Sequence, residues 1–174
     1  MLLRLLTPHL QIDRVTTIGA NMLAALGIEG LLLDLDCTLK DYYSDSVRPE
    51  VIEWVGNMHR LDVKMCLLTN GRAKRVRPYA EELGIDCVPW AMKPLARGVR
   101  RGLGKLQLDR TRVAIVGDQI FADVLAGRLA GVFTILVRPT TTEEPWITHI
   151  KRPLERAVLR ATGSTNSNPP TASA

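Results

Sequence analysis

Gly30-Leu31-Leu32-Leu33-Asp34-Leu35-Asp36-Cys37-Thr38-Leu39 sets an unbroken apolar run directly against two acids. A run this short and without polar alternation is what a central parallel strand looks like when helices cover both of its faces. Asp34 and Asp36 then fall at its carboxyl end, the edge at which open α/β sheets bind ligands. Two carboxylates so close repel, so either a cation lies between them or one keeps its proton. Both arrangements suit phosphate chemistry.

Outward from this strand, helix-like and strand-like segments alternate. Gln11 to Leu26 reads as an amphipathic helix, Gly30 to Leu35 as the first strand and about Pro49 to Arg60 as a helix. Lys64 to Leu68 is the second strand, followed by a helix over Arg72 to Leu83 that Gly84 stops. Asp86 to Val88 is a short third strand, and Pro94 to Leu106 the helix after it. Arg112 to Val116 and Val132 to Val137 are β-rich strands flanking a helix over Ile120 to Ala130 that ends at Gly131. Glu143 to Leu159 predicts a closing helix with Thr142 as its cap. Five strands separated by helices predict an α/β fold, a Rossmann-like doubly wound parallel sheet, in one domain over residues 1–161. Thr162 to Ala174 holds small polar residues and proline and is expected to be disordered.

Composition narrows the partners. The chain has 174 residues, 46% of them hydrophobic, enough for a real core. Charged residues interrupt its leucine-rich start, so no membrane span is expected, and Met1 to Leu10 is too short for a secretory signal. The expected location is the cytoplasm. Cys37, Cys66 and Cys87 form no C-x-x-C pair and read as reduced packing residues. The net charge of +5 concentrates in Arg72 to Arg77, Arg97 to Lys105 and Lys151 to Arg160, which favours anionic partners. With 5% aromatic residues and no stacking or zinc-finger motif, nucleic acid is not expected; a phosphorylated substrate or an anionic lipid surface fits better.

Four of the five predicted strand ends carry a chemical group, the first of them Asp34 and Asp36. Thr69-Asn70-Gly71 follows the second strand as a turn with N–H groups at the start of a helix, an anion cradle. Lys93-Pro94 follows the third and sets an ammonium where a helix begins. Gly117-Asp118 follows the fourth, with Asp123 in the next helical turn. Any one of these is an ordinary cap, but capping does not explain the set at one sheet edge.

Together these segments resemble the four motifs of the haloacid dehalogenase superfamily of phosphohydrolases: Asp34-x-Asp36-x-Thr38, then Thr69, then Lys93, then Gly117-Asp118 with Asp123. The resemblance implies that Asp34 is phosphorylated by in-line attack and that Asp36 gives and then takes the proton. It implies a Mg²⁺ held by Asp34, the backbone carbonyl of Asp36 and Asp118. It places Thr69, Asn70 and Thr38 at the phosphoryl group, gives Lys93 the charge that develops there, and makes Asp123 the residue that orients Lys93.

Lys40 to Leu68 has room only for a short flap, a helix and a strand, and Gly71 to Met92 only for a helix and a strand. No cap domain is expected, which suits a substrate that brings its own bulk, such as a lipid head group at a bilayer, with a phosphoprotein, a nucleic-acid end or a small phosphometabolite as the alternative. Asp34-Leu35-Asp36-Cys37-Thr38-Leu39 and Gly117 to Leu125 further resemble the capless YqeG-type subgroup, which includes phosphatidylglycerophosphate phosphatases. That likeness implies an anionic lipid head group as substrate and peripheral membrane contact. Leu2, Leu3, Leu5, Leu6 and Leu10, with the basic helix Lys151 to Arg160, either meet a bilayer or pack and stay solvated. Asp41-Tyr42-Tyr43 either touches substrate or pins the flap. Two rivals remain: a cysteine phosphatase on Cys66 and Arg72, in C-x₅-R spacing, and a non-catalytic anion-binding module.

Overall fold

Leu31, Leu32 and Leu33 are wholly buried, and their side chains alternate between two cores on opposite faces of one sheet. The computed structural model describes residues 2–141 together with Ala157 and Arg160. Its elements run α1 (Leu2–Leu6), β1 (Leu10–Ile12), α2 (Ala20–Leu26), β2 (Gly30–Leu33), α3 (Pro49–Arg60), β3 (Lys64–Leu68) and α4 (Ala73–Leu83). They continue through β4 (Asp86–Val88), α5 (Ala96–Leu106), β5 (Val113–Gly117), α6 (Leu125–Ala130) and β6 (Phe133–Val137).

The sheet has six parallel strands in the order β1-β6-β5-β2-β3-β4. From β1 at one edge the chain crosses to β2 in the centre, winds outward through β3 and β4, then returns to the other side through β5 and β6, the last of which pairs with β1. Parallel pairing puts every strand's carboxyl end on one edge, and β2 lies between β3 and β5 there. Leu33 pairs with Leu67 on one side and Val116 on the other, so the residues after these strands emerge side by side.

Helices on each face bury a stripe at helical spacing. In α3 the stripe is Val51, Trp54, Val55 and Met58, opened by Pro49 in the first turn. In α4 it is Val76, Tyr79, Ala80 and Leu83, ended by Gly84 in the left-handed conformation. On the other face, α5 packs Val99, Gly102 and Leu106 toward the core that contains Leu32. A Cβ at Gly102 would lie 2.6 Å from Leu32 Cδ2, so the helix sits directly on the central strand.

The expected helix over Gln11 to Leu26 is replaced by β1, a 3₁₀ turn at Val15–Thr17 and the shorter α2. Val15, Thr16, Thr17 and Ile18 are β-branched and Gly19 follows them, which weakens a continuous helix. Pairing of Leu10, Gln11 and Ile12 with Ile135, Leu136 and Val137 gives that backbone a sixth strand position instead. The expected helix over Glu143 to Leu159, its Thr142 cap and the tail after Thr162 lie outside the described residues. No helix among the described residues is long and apolar enough to cross a membrane.

Leu32→Ala should lower the unfolding free energy by about 2–5 kcal/mol, because the cavity opens between the central strand and α5. Urea titration measures it, and a cost under about 1 kcal/mol would contradict the packing described.

Candidate active site

At the carboxyl edge, Asp34 extends β2 by one more rung, its N–H donating to the carbonyl of Val116 at 2.9 Å. Lys93 arrives from the loop after β4 and is buried with it. Its Nζ donates to Asp34 Oδ1 at 2.5 Å and to Asp123 Oδ1 at 2.6 Å. Asp123 Oδ2 accepts from the N–H of Gln119 at 3.2 Å, so that carboxylate is fixed at both ends. Gly117 makes room for it: a Cβ there would lie 2.2 Å from Asp123 Cγ. Asp118 is buried beside them, and one oxygen each of Asp34, Asp118 and Asp123 lie within 4.8 Å of one another.

Three buried carboxylates around one ammonium leave the site net negative. Burial pushes the Asp34 carboxyl up to about 7; Lys93 opposes the shift, while Asp123 and Asp36 reinforce it. Burial works against the charge on Lys93, but Asp123 and Asp34 outweigh it and hold its pKa above the ordinary lysine range. Hard oxygen donors packed this closely fit a small divalent cation. Such an ion would offset the charge that Lys93 leaves uncompensated.

The repulsion expected between Asp34 and Asp36 is relieved differently. Asp36 turns to two other cations: Arg75 of α4, whose Nη1 donates to Oδ1 at 3.0 Å and whose Nη2 reaches Oδ2, and Lys40, 3.3 Å from Oδ1. Lys40 is almost fully buried and also donates to the carbonyls of Asp41 (2.7 Å) and Tyr42 (3.1 Å). It is therefore this lysine that pins the flap.

Thr69 is buried at the end of β3, and its hydroxyl oxygen accepts from the N–H of Gly71 at 3.1 Å, which keeps the hydroxyl proton for another acceptor. Asn70 does something the sequence did not predict. Its side chain accepts from the N–H of Lys93 at 2.8 Å and donates to the carbonyl of Lys93 at 3.0 Å, binding one loop to the other. Thr38 is buried, its hydroxyl has no hydrogen-bond partner among the described residues, and it lines a cavity of about 420 Å³ with Arg14, Arg48, Arg138 and Thr140. Asp34, Lys93 and Asp118 do not line that cavity. Cys66 lies wholly buried inside β3, its thiol pushed up to about 12 by burial, so it offers no thiolate for a cysteine phosphatase.

A sequence model of the haloacid dehalogenase-like hydrolases matches residues 7–131, the span that contains every strand-end group above. The chain belongs to that family. It is 30% identical over 161 residues, 92% of this chain and 94% of the other, to the Bacillus subtilis (strain 168) protein named "Probable phosphatase YqeG". It is 25% identical over 163 residues to Phosphatidylglycerophosphate phosphatase 1, chloroplastic/mitochondrial, of Arabidopsis thaliana, matching 88% of this chain but spanning only 47% of the plant protein's length. Among solved structures, the cobalt-bound deoxy-D-mannose-octulosonate 8-phosphate phosphatase of Haemophilus influenzae shares the fold, with a TM-score of 0.54 at 15% identity over 79% of this chain and 90% of that one. This haloacid dehalogenase-like hydrolase is thus a phosphatase, a phosphoric monoester hydrolase. Among its described residues no cap domain interrupts the sheet: α3 and β3 follow the flap, and only α4 and β4 separate Gly71 from Met92.

Because burial raises the folded-state pKa of Asp34 above its unfolded value near 3.8, its contribution to stability is full below about pH 4 and is lost as pH rises through about 7. In EDTA, wild-type stability should therefore fall relative to Asp34→Asn between about pH 4 and 8. Urea unfolding measures the difference, and parallel curves would show Asp34 ionised throughout.

Proposed function

We propose that this phosphatase works through an aspartyl-phosphate on Asp34 and that its substrate is phosphatidylglycerophosphate. The observation that carries the mechanism is the buried Lys93 ammonium in contact with Asp34 at the sheet edge, beside Thr69 and Asp118. Asp34 Oδ attacks phosphorus in line, the ester P–O bond breaks, and Asp36 delivers a proton to the leaving alcohol. Water then attacks the same phosphorus, Asp36 takes its proton, and inorganic phosphate leaves with Asp34 restored. Asp36 must part from Arg75 to do this, since both of its oxygens are held in the resting site.

Lys93 neutralises charge on the phosphoryl oxygens, Thr69 donates its hydroxyl proton to them, and Asp123 keeps Lys93 aimed. Mg²⁺, held by Asp34, the Asp36 carbonyl and Asp118, would supply the charge that brings a carboxylate and a phosphate dianion together. Asn70 serves the site by holding the Lys93 loop. Thr38, expected at the phosphoryl group, would act there through the nucleophile loop.

Three features support a lipid substrate. The plant relative carries that substrate in its name, the described residues form no cap to close over a small metabolite, and the rim is rich in arginine. Such a substrate implies work at a membrane surface, with Mg²⁺ as cofactor.

Phosphate release from a panel of phosphatidylglycerophosphate in detergent micelles, glycerol phosphate, sugar phosphates, phosphopeptides and 5′-phosphorylated oligonucleotides tests the substrate. A tenfold or greater kcat/KM preference for the lipid, about 1.4 kcal/mol, is expected; preference for any other class overturns it. On any accepted ester, Asp34→Asn should lose at least about a thousandfold in kcat with its circular dichroism unchanged, and EDTA should abolish turnover until Mg²⁺ is returned.

A further inference from the structure

Beside the active-site lysine the chain exposes apolar side chains where nothing in the fold requires them. In the loop from Pro89 to Leu95, Trp90, Met92 and Leu95 keep 54%, 54% and 53% of their surface exposed, while the alternate residues Ala91 and Lys93 are buried. The loop backbone is tied down: Trp90 N–H donates to the carbonyl of Gly71 and Ala91 N–H to that of Thr69, each at 3.0 Å. Asn70 holds Lys93 from the same side. Behind it, α5 approaches so closely that a Cβ on Gly98 would lie 2.2 Å from the carbonyl oxygen of Ala91. Trp90 and Met92 take left-handed backbone angles, φ 49° and 57°, which side-chain-bearing residues adopt rarely and which recur at functional sites. The loop is fixed in a shape that turns its apolar side chains outward.

Cations surround this apolar tip. The Arg72 guanidinium lies 5.9 Å from the Trp90 ring centroid, and Arg101 Nη1 donates to the Trp90 carbonyl at 3.4 Å. Arg97 stands one helical turn before Arg101 on the same stripe of α5, and all three arginines are exposed. No Asp or Glu occurs between residues 63 and 80 or between 87 and 108, the two segments that form this rim. A second copy of the chain presenting the same face would meet arginine with arginine. An anionic bilayer would meet it with phosphate, and would accept a tryptophan, a methionine and a leucine at the depth where aromatic and aliphatic anchors sit.

We infer that the Trp90-Met92-Leu95 tip with Arg72, Arg97 and Arg101 is the surface by which this enzyme docks on anionic membranes, seating Asp34 and Lys93 over the lipid head groups. The inference rests on the lipid-substrate reading and assigns its membrane contact to a defined loop. Of the N-terminal leucines, Leu3 is exposed, whereas Leu6 packs on Ile120, Val124 and Leu136 and Leu10 belongs to β1.

The test uses the full chain and vesicles without any phosphomonoester: phosphatidylcholine alone, and phosphatidylcholine with about 30% phosphatidylglycerol. Wild-type protein should cosediment with the anionic vesicles only, less so as salt rises, and its tryptophan emission should shift to the blue. Trp90→Phe, which leaves Trp54 and Trp146, should remove that shift. Trp90→Ser/Met92→Ser/Leu95→Ser, with an unchanged urea midpoint, should bind at least about tenfold more weakly. No binding of the wild type, equal binding by the triple variant, or a wild-type dimer that the triple variant dissociates in ultracentrifugation would each overturn the inference. The substrate reading is judged separately by the micelle assay: hydrolysis of the lipid without vesicle binding defeats the docking surface alone, and loop-dependent vesicle binding without hydrolysis defeats the substrate alone.

Discussion

One ammonium buried between two carboxylates organises this molecule. Removing Lys93, Asp34 and Asp123 from water costs far more than a surface ion pair returns, so the contact survives only because its partners are held at fixed separations. β2 fixes Asp34, the Gly71-to-Trp90 and Asn70-to-Lys93 hydrogen bonds fix the lysine loop, and the gap left by Gly117 fixes Asp123. Even so the site keeps an excess of negative charge, which a divalent ion or a proton on Asp34 can relieve. The fold places the charges, and the charges make the site selective for what completes them.

The strands around this pair were legible because burial on both faces leaves a plain trace. Leu31 to Leu33, Met65 to Leu68 and Val113 to Val116 are apolar without interruption, and each ends in a residue with chemistry. Asp34, Thr69, Lys93 and Asp118 could be read from position alone, since parallel pairing must gather strand ends at one edge. β1 could not be read, because a three-residue strand draws its stability from the ladder on β6 rather than from its own pattern. Arg75 was equally hidden: it meets Asp36 from 39 positions away, and an arginine in a basic helix looks solvated until that contact exists. Lys40 carried a fainter signal, four residues after Asp36, but nothing local announces that an ammonium will be buried. The two adjacent acids are a charge problem on sequence alone, and the structure adds the partners that sequence does not show: Asp34 meets Lys93, while Asp36 meets Arg75 and Lys40.

The absence of a cap among the described residues shifts the burden of specificity to the rim. Enzymes that enclose a metabolite exclude water by closing; an open site must rely on the bulk of what it meets. Here the rim is unusual in both polarity and charge, with a pinned flap on one side and an arginine-flanked apolar loop on the other. The same loop carries the buried Lys93 ammonium, so the exposed apolar side chains and the cation at the centre share one short piece of backbone.

Asn70 gives that sharing a mechanical meaning. Its carboxamide meets the Lys93 peptide with one donor and one acceptor, imitating a rung of sheet beyond the last paired residues of β3 and β4. A single amide thereby locks the Thr69-to-Gly71 turn and the cationic arm into one lever. A pull on either end must be felt at the other.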